Sequence, residues 1–269
     1  MKQEKMTADE VQVLRENAER ERNRHAWAMK LIRDVEKGVA PPLSRNYQLE
    51  IIERKRESEI LALLEVYAEN QDNRLVLVDD AQKFILDHGD ELPNAKEYLL
   101  KNFPLCLMVE IGIFRADKPM FMKDGDEVKE FYPKFSQEGE EFIVKETLAN
   151  CLKVDHITTE LYFLTGYIKN HELSPLAQIA LMDFLTPDTY SDRLTEELSN
   201  FVIDYIAKYK TLAFTAQLKL IRSGDHALIM YYITNSAEGI QTKEVLDALI
   251  KRGDREEITA YFNRYAHED

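Results

Sequence analysis

Hydrophobic and polar positions near the C-terminus follow a pattern that occurs twice. Segments 220–233 and 249–262 agree in their apolar positions, in a Gly-Asp pair and in an aliphatic-x-x-aromatic-aliphatic triple. The two copies are offset by 29 residues throughout. Because order and spacing are kept over a whole segment, we interpret the match as an internal repeat.

Each copy predicts a helix, a tight turn and a second helix. Gly224 and Gly253 follow an apolar-periodic run, and a left-handed residue ends a helix there at low cost. Asp225 and Asp254 come next and are good N-caps for the following helix. Asp254 and Glu257 also have the spacing of a capping box. We therefore predict left-handed C-caps at both glycines.

The aliphatic-x-x-aromatic-aliphatic triple also occurs further upstream. Spacings of three and four place its side chains on one helical face. The residue before each triple is apolar in the three inner copies and acidic in the outer two, Asp80 and Glu257. We therefore predict that the terminal helices turn these carboxylates towards water. The triples are Ala81-Phe84-Ile85, Leu164-Tyr167-Ile168, Val202-Tyr205-Ile206, Ile229-Tyr232-Ile233 and Ile258-Tyr261-Phe262.

These repeated segments resemble the HEAT-like and armadillo-like class of α-helical repeat proteins. The resemblance extends from about residue 155 to the C-terminus, and in weaker form from residue 71. It is a resemblance of fold, without a family-specific motif. It implies an all-α protein built as an α-solenoid, a right-handed superhelical stack of antiparallel helical hairpins. Proteins of this class are typically binding platforms.

The N-terminal part of the chain predicts two long helices before the repeats. The first helix extends from Thr7 to Lys37, and the second from Ser44 to Asn70. We assign residues 1–70 to an N-terminal helical pair and residues 71–269 to a repeat domain with an irregular insertion near 116–140. Residues 75–78 are included in a helical turn. The last eight helices are predicted near 140–153, 156–170, 174–185, 191–209, 212–222, 225–236, 242–252 and 254–266.

Charge is distributed unevenly along the chain, whose net charge is −14. Residues 1–60 contain 13 Lys/Arg and 12 Asp/Glu, whereas the remainder contains 22 and 37. The acidic remainder repels phosphate groups, so nucleic acid is an improbable partner of the repeats. The charged stretch 15–25 is open to three interpretations: a solvated helix with internal ion pairs, an arm that contacts a partner, or a nucleic-acid contact.

Composition favours a cytoplasmic protein without a cofactor. Cys106 and Cys151 lie in apolar contexts, which predicts buried, reduced thiols. No apolar stretch is long enough to span a bilayer, and the N-terminus lacks the apolar core of a signal peptide. Phosphate-binding, dinucleotide-binding and zinc-protease motifs are absent. We therefore assign no catalytic, cofactor-binding or metal-ligating residue.

A non-enzymatic scaffold that binds a protein or peptide is the function these observations favour. Trp27, Phe121, Phe131 and Tyr132 are the candidate partner-binding residues, because aromatic anchors dominate interface energies. The aromatic residues of the insertion have a second interpretation, in which they pack beneath the helices. One alternative function is an enzyme with a site assembled from scattered helices. Another is nucleic-acid binding through the charged N-terminal helices.

Overall fold

The computed structural model describes residues 8–70, 75–116, 120–124, 127–154, 158–183, 192–236 and 242–265. Within them the protein is all-α apart from one antiparallel hairpin, so the predicted fold class is confirmed at this level. The helices are α1 (Ala8–Glu36), α2 (Arg45–Ile52), α3 (Glu57–Glu69), α4 (Asp79–Asp87), α5 (Pro93–Asn102), α6 (Leu107–Arg115), α7 (Gln137–Val154), α8 (Thr159–Ile168), α9 (Pro175–Asp183), α10 (Asp192–Tyr209), α11 (Phe214–Ser223), α12 (His226–Asn235), α13 (Lys243–Arg252) and α14 (Arg255–Tyr265), and the strands are β1 (Met120–Asp124) and β2 (Glu127–Phe131).

The chain divides into two compact units, Met1–Val109 (unit 1) and Glu110–Asp269 (unit 2). Within each unit, most of the helices that pack together are two apart in chain order. In unit 1, α3 packs against α1 and α5, and α2 against α4. In unit 2, α7, α9, α11 and α13 pack in sequence, as do α10, α12 and α14. This long-range packing is compatible with a helical-repeat fold. The division predicted after residue 70 falls inside unit 1 and stays a prediction.

The repeated aromatic triples contribute to the core of unit 2. Tyr167, Tyr205 and Tyr232 are buried, together with the aliphatic residues of their triples. The last triple is different, because Phe262 is 44% exposed while Tyr261 is buried. Within the described residues, α14 packs against α12 and α13. Its outer surface therefore leaves Phe262 accessible.

The predicted irregular insertion contains the β-hairpin. Its register runs from Met120 opposite Phe131 to Asp124 opposite Glu127. Two aromatic residues follow the hairpin and are buried: Tyr132 and Phe135. Both pack their rings against Phe163 of α8. For these two residues, the interpretation that the aromatics pack beneath the helices is confirmed.

Helix boundaries in the last half of the chain lie within a few residues of the predicted ones. The prediction of a single second helix is wrong, because the chain breaks between α2 and α3, where Lys55 has a left-handed φ of 53°. This reversal lets Ile52 and Ile60, on opposite sides of the charged break, both be buried. Residues 75–78 are not helical either, and the next helix begins at Asp79.

The two predicted glycine caps have different conformations. Gly253 is left-handed with φ 80°, as predicted, whereas Gly224 is extended with φ −69° and ψ 157°. Glycine is needed at 224 for space, because a Cβ atom there would lie 2.6 Å from the carbonyl oxygen of Leu220. Asp225 is an N-cap as predicted, since its carboxylate accepts the amide hydrogen of Leu228 at 2.7 Å.

Of the two predicted solvent-facing carboxylates, only Asp80 is accessible. Its side chain is 53% exposed and pairs with Arg45. The prediction for Glu257 is wrong, because its side chain is 0% exposed and lies against Arg252 and His226. His226 of the neighbouring α12 and Arg252 at the end of α13 hold this carboxylate inside the protein.

The charged stretch of α1 is tied to α3 within unit 1. Glu21 pairs with Arg56 at 2.6 Å, and His25 lies 2.7 Å from the buried Glu59. Cys151 is buried as predicted, whereas Cys106 is partly exposed, and both thiols are free. Among the described residues, no helix combines the length and apolarity that a membrane crossing requires.

Candidate functional site

Six buried polar side chains occupy the same place in six helices. Each is the fourth residue of its helix and lies five residues after a buried Leu or Phe. We refer to them as the bridging side chains. They are Gln48 of α2, Gln82 of α4, Glu110 of α6, Glu140 of α7, Gln178 of α9 and Gln217 of α11.

Gln178 shows how a bridging side chain connects the starts of two helices. Its Nε2 donates to the carbonyl oxygen of Leu173 at 2.8 Å and to the hydroxyl of Tyr205 at 3.1 Å. Its Oε1 accepts the backbone N–H of Ala213 at 2.6 Å. One side chain therefore joins the start of its own helix, a core tyrosine and the start of α11.

Four other bridging side chains accept the corresponding N–H group, and in every case the donor is the residue immediately before a helix. A helix start leaves backbone N–H groups without an intrahelical partner, and a buried one is costly to leave unpaired. The bridging side chains therefore satisfy the same backbone N–H group at the starts of five helices. The bonds are Val78 N to Gln48 (3.0 Å), Cys106 N to Gln82 (2.9 Å), Ser136 N to Glu110 (2.6 Å) and Ser174 N to Glu140 (2.6 Å).

The sequence contains a signal for this arrangement that the aromatic triples do not reveal. A Leu or Phe precedes a Gln or Glu by five residues at each bridging position, as in Leu43 to Gln48 and Leu212 to Gln217. The predictions followed the triples and missed this second spacing. From the sequence, a buried polar residue in the first turn of a helix looks the same as a solvent-exposed one, because the N–H group that it accepts is not visible.

An open cleft of about 740 Å³ lies beside two bridging side chains of unit 2, Glu140 and Gln178. Its walls come from the first turns of α7 and α9 and from the segments that immediately precede α7, α9 and α11, three helices that pack in sequence. Lys134, Asn170 and Thr211 contribute exposed polar surface to it. The cleft therefore extends past the N-terminal ends of three helices that pack in sequence.

Two exposed apolar side chains stand next to cleft residues in the sequence. Leu176 and Phe214 directly follow the cleft residues Pro175 and Ala213, and they are 42% and 43% exposed. An exposed apolar side chain at such a place is available as an anchor for a partner chain.

The floor of the cleft contains a buried carboxylate with its donors in place. Glu140 accepts hydrogen bonds from Lys134 Nζ, from the Tyr167 hydroxyl at 2.6 Å and from the Ser174 N–H. Burial, and then the neighbouring Glu140 carboxylate, raise the pKa of Tyr167, so the phenol stays protonated and remains a donor. Because three donors already occupy Glu140, its role here is to hold the cleft floor together.

Of the predicted partner-binding residues, Phe131 and Tyr132 belong to unit 2, and neither lines this cleft. Trp27 is half-buried in unit 1, with its ring 6.1 Å from that of Tyr47. Phe131 is half-buried at the end of β2, and Tyr132 is only 8% exposed. Phe121 lies in β1, but its side chain is outside the described residues. Their role in partner binding stays a prediction.

Glu110 gives a bridging position a measurable pH dependence. Burial raises the pKa of its carboxyl above the ordinary 4.5, although hydrogen bonds from Ser136 act in the opposite direction. A raised native pKa means that the stability contributed by this group is present below 4.5 and is lost as the pH rises through the native pKa. Glu110→Gln keeps an acceptor for the Ser136 N–H and does not ionise, so we expect it to gain stability relative to wild type as the pH rises.

Urea unfolding followed by circular dichroism at about pH 4 and about pH 8 measures this gain. The control is Glu141→Gln, which alters a carboxylate of α7 paired with Lys145 on the surface. A difference between Glu110→Gln and wild type that is the same at both pH values would contradict the prediction.

No protein-family model, curated protein or solved structure matches this chain. Its function must therefore be inferred from the residues and geometry of the protein itself.

Proposed function

We propose that this protein is a non-enzymatic α-solenoid scaffold that binds an extended peptide segment of a partner protein in the cleft of unit 2. The solenoid, with its right-handed superhelical sense, and the binding role are both parts of the proposal. The observation that carries it is the cleft itself, whose walls come from three consecutive repeats.

The order of the elements supports the solenoid. The helices can be taken in pairs from α2–α3 and α4–α5 through α13–α14, with the β-hairpin in place of a second helix after α6. First helices of neighbouring pairs pack together, as α7, α9 and α11 do, and bridging side chains join their starts. Stacked helical hairpins of this kind present extended surfaces to their ligands.

The charges indicate what kind of peptide the cleft would take. Residues 110–269 contain 18 Lys/Arg and 28 Asp/Glu, a net charge of −10. At the cleft, Lys134 is paired with Glu140 and so is partly neutralised, while Glu172 is exposed. A segment with an apolar side chain for Leu176 and Phe214, flanked by Lys or Arg, is complementary to this surface.

Selection from a displayed library of random peptides tests the proposal. We expect the full chain to enrich peptides that combine an apolar anchor with basic residues. Phe214→Asp should weaken binding of a selected peptide at least about fivefold, since loss of an interface anchor costs more than about 1 kcal/mol. The matched control is Phe262→Asp, which alters a phenylalanine of similar exposure on α14.

Failure to enrich any peptide sequence would contradict the proposal. An equal loss of affinity in both aspartate variants would also contradict it, because binding would then not depend on the cleft. The enzyme and nucleic-acid alternatives stay hypotheses. The donors that already occupy Glu140 disfavour a catalytic role for that carboxylate, and the ion pairs of Arg54 with Glu59 and of Arg56 with Glu21 disfavour phosphate binding by these arginines of unit 1.

A further inference from the structure

A cluster of His, Glu and Arg occurs twice in the chain, once in each unit. In unit 1, the buried Glu59 of α3 lies 2.7 Å from His25 of α1 and 3.1 Å from Arg54, five residues before it. In unit 2, the buried Glu257 of α14 lies 3.2 Å from His226 of α12 and 3.0 Å from Arg252, also five residues before it. We refer to these as the first and second His-Glu-Arg clusters.

The backbone is alike in the two clusters. In each, the residue after the arginine is left-handed: Lys55 with φ 53° and Gly253 with φ 80°. In each, the histidine comes from the helix two positions earlier, which packs against the helix of the glutamate. The clusters therefore occupy corresponding places in two repeats, and a difference between them is informative.

The residue immediately before the helix that carries the glutamate has opposite charge in the two clusters. In the first it is Arg56, whose guanidinium lies 3.7 Å from Glu59. In the second it is Asp254, whose carboxylate lies 3.1 Å from His226. The second cluster thus has a third nitrogen or oxygen ligand where the first has a cation. With Glu256 beside it, three carboxylates there face one arginine and a histidine.

From this geometry we propose that His226, Asp254 and Glu257 bind a divalent transition-metal cation of the Zn²⁺ type. One ligand atom from each lies within 4.8 Å of the others. His226 Nδ1 is 3.1 Å from Asp254 Oδ2 and 3.2 Å from Glu257 Oε1. Tetrahedral zinc with bonds of about 2.0 Å separates its ligand atoms by about 3.3 Å. Three such ligands leave the fourth position to water.

The groups around these three ligands are those expected of a metal site. A ligating histidine commonly donates its other ring N–H to a carboxylate, and His226 Nε2 lies 3.3 Å from Glu256 Oε2. Arg252 Nε lies 3.0 Å from Glu257 Oε2, while Glu257 Oε1 is the oxygen that lies 3.2 Å from His226 Nδ1.

Calorimetric titration of the metal-stripped full chain with Zn²⁺ tests the proposal. We expect saturable binding that includes one site lost in both His226→Gln and Asp254→Asn, with an affinity loss of at least about 100-fold. Asn can still cap a helix, so the second variant is compatible with the fold, and circular dichroism checks this. His25→Gln, in the first cluster, is the matched control and should bind Zn²⁺ as wild type does.

Asp254→Arg provides a second test, because it places in the second cluster an arginine where the first cluster has Arg56. This variant should fold and should not bind Zn²⁺ at the site. Absence of saturable binding in the wild-type protein, or unchanged binding in His226→Gln, would overturn the proposal. Titration with Co²⁺ gives an independent outcome: an intense thiolate charge-transfer band would assign the ion to Cys106 or Cys151 instead and would also overturn it.

Discussion

Gln178→Leu is expected to lower the free energy of unfolding by about 2 to 5 kcal/mol. Leucine has a similar volume, so the packing of α9 changes little. It cannot accept the Ala213 N–H or donate to the Leu173 carbonyl, and both bonds are short in the native protein. Each buried polar group left unpaired costs about 1 to 3 kcal/mol, and the two losses fall on consecutive repeats.

Urea unfolding followed by circular dichroism measures this loss, and hydrogen exchange locates it. We expect exchange to accelerate at the start of α11, where the Ala213 N–H has lost its acceptor. The matched control is Gln137→Leu, which removes an exposed glutamine from the first position of α7 and should change stability by less than about 0.5 kcal/mol. Equal effects of the two substitutions would mean that the bridging bonds contribute nothing measurable.

Local sequence features predicted the helices well, because caps and periodicity are encoded within a few residues. Gly253 and Asp254 end one helix and begin the next as expected. The bridging role of Gln178 was not predictable in this way, since its partner is a backbone N–H 35 residues further along the chain. Glu257 was predicted to be exposed for the same reason: the residues that bury it include His226, 31 positions earlier.

The candidate cleft illustrates the same limit. Its residues are scattered over the starts of three helices, and no short motif joins them. The sequence instead favoured the aromatic residues around the hairpin. Of these, Tyr132 is largely buried against Phe163. Aromatic composition alone does not distinguish an exposed anchor from a core residue, because both uses favour large apolar side chains.

Phe163→Ala is expected to cost about 3 to 5 kcal/mol, the range for truncating a buried phenylalanine. The Phe163 ring lies at the centre of an aromatic group, with ring centroids 5.6 Å from Phe114, 5.3 Å from Tyr132 and 6.2 Å from Phe135. Its removal leaves a cavity between α6, α8 and the segment that follows the hairpin. Tyr132 cannot readily fill that cavity, because its hydroxyl already packs against Gly166, where a Cβ atom would have no room.

The neighbouring residue provides a control on the same helix turn. Tyr162 is 69% exposed, so Tyr162→Ala removes an aromatic ring of similar size from the same helix without opening a cavity, and should change stability by less than about 0.5 kcal/mol. Circular dichroism in urea distinguishes the two variants. If both substitutions had the same small effect, Phe163 would not hold the segment after the hairpin, and the large loss expected from burial would be wrong. A large effect of Phe163→Ala alone would instead mean that Tyr132 and Phe135 belong to the core of unit 2. Accessible aromatic anchors for a partner would then have to be sought elsewhere, at residues such as Phe214.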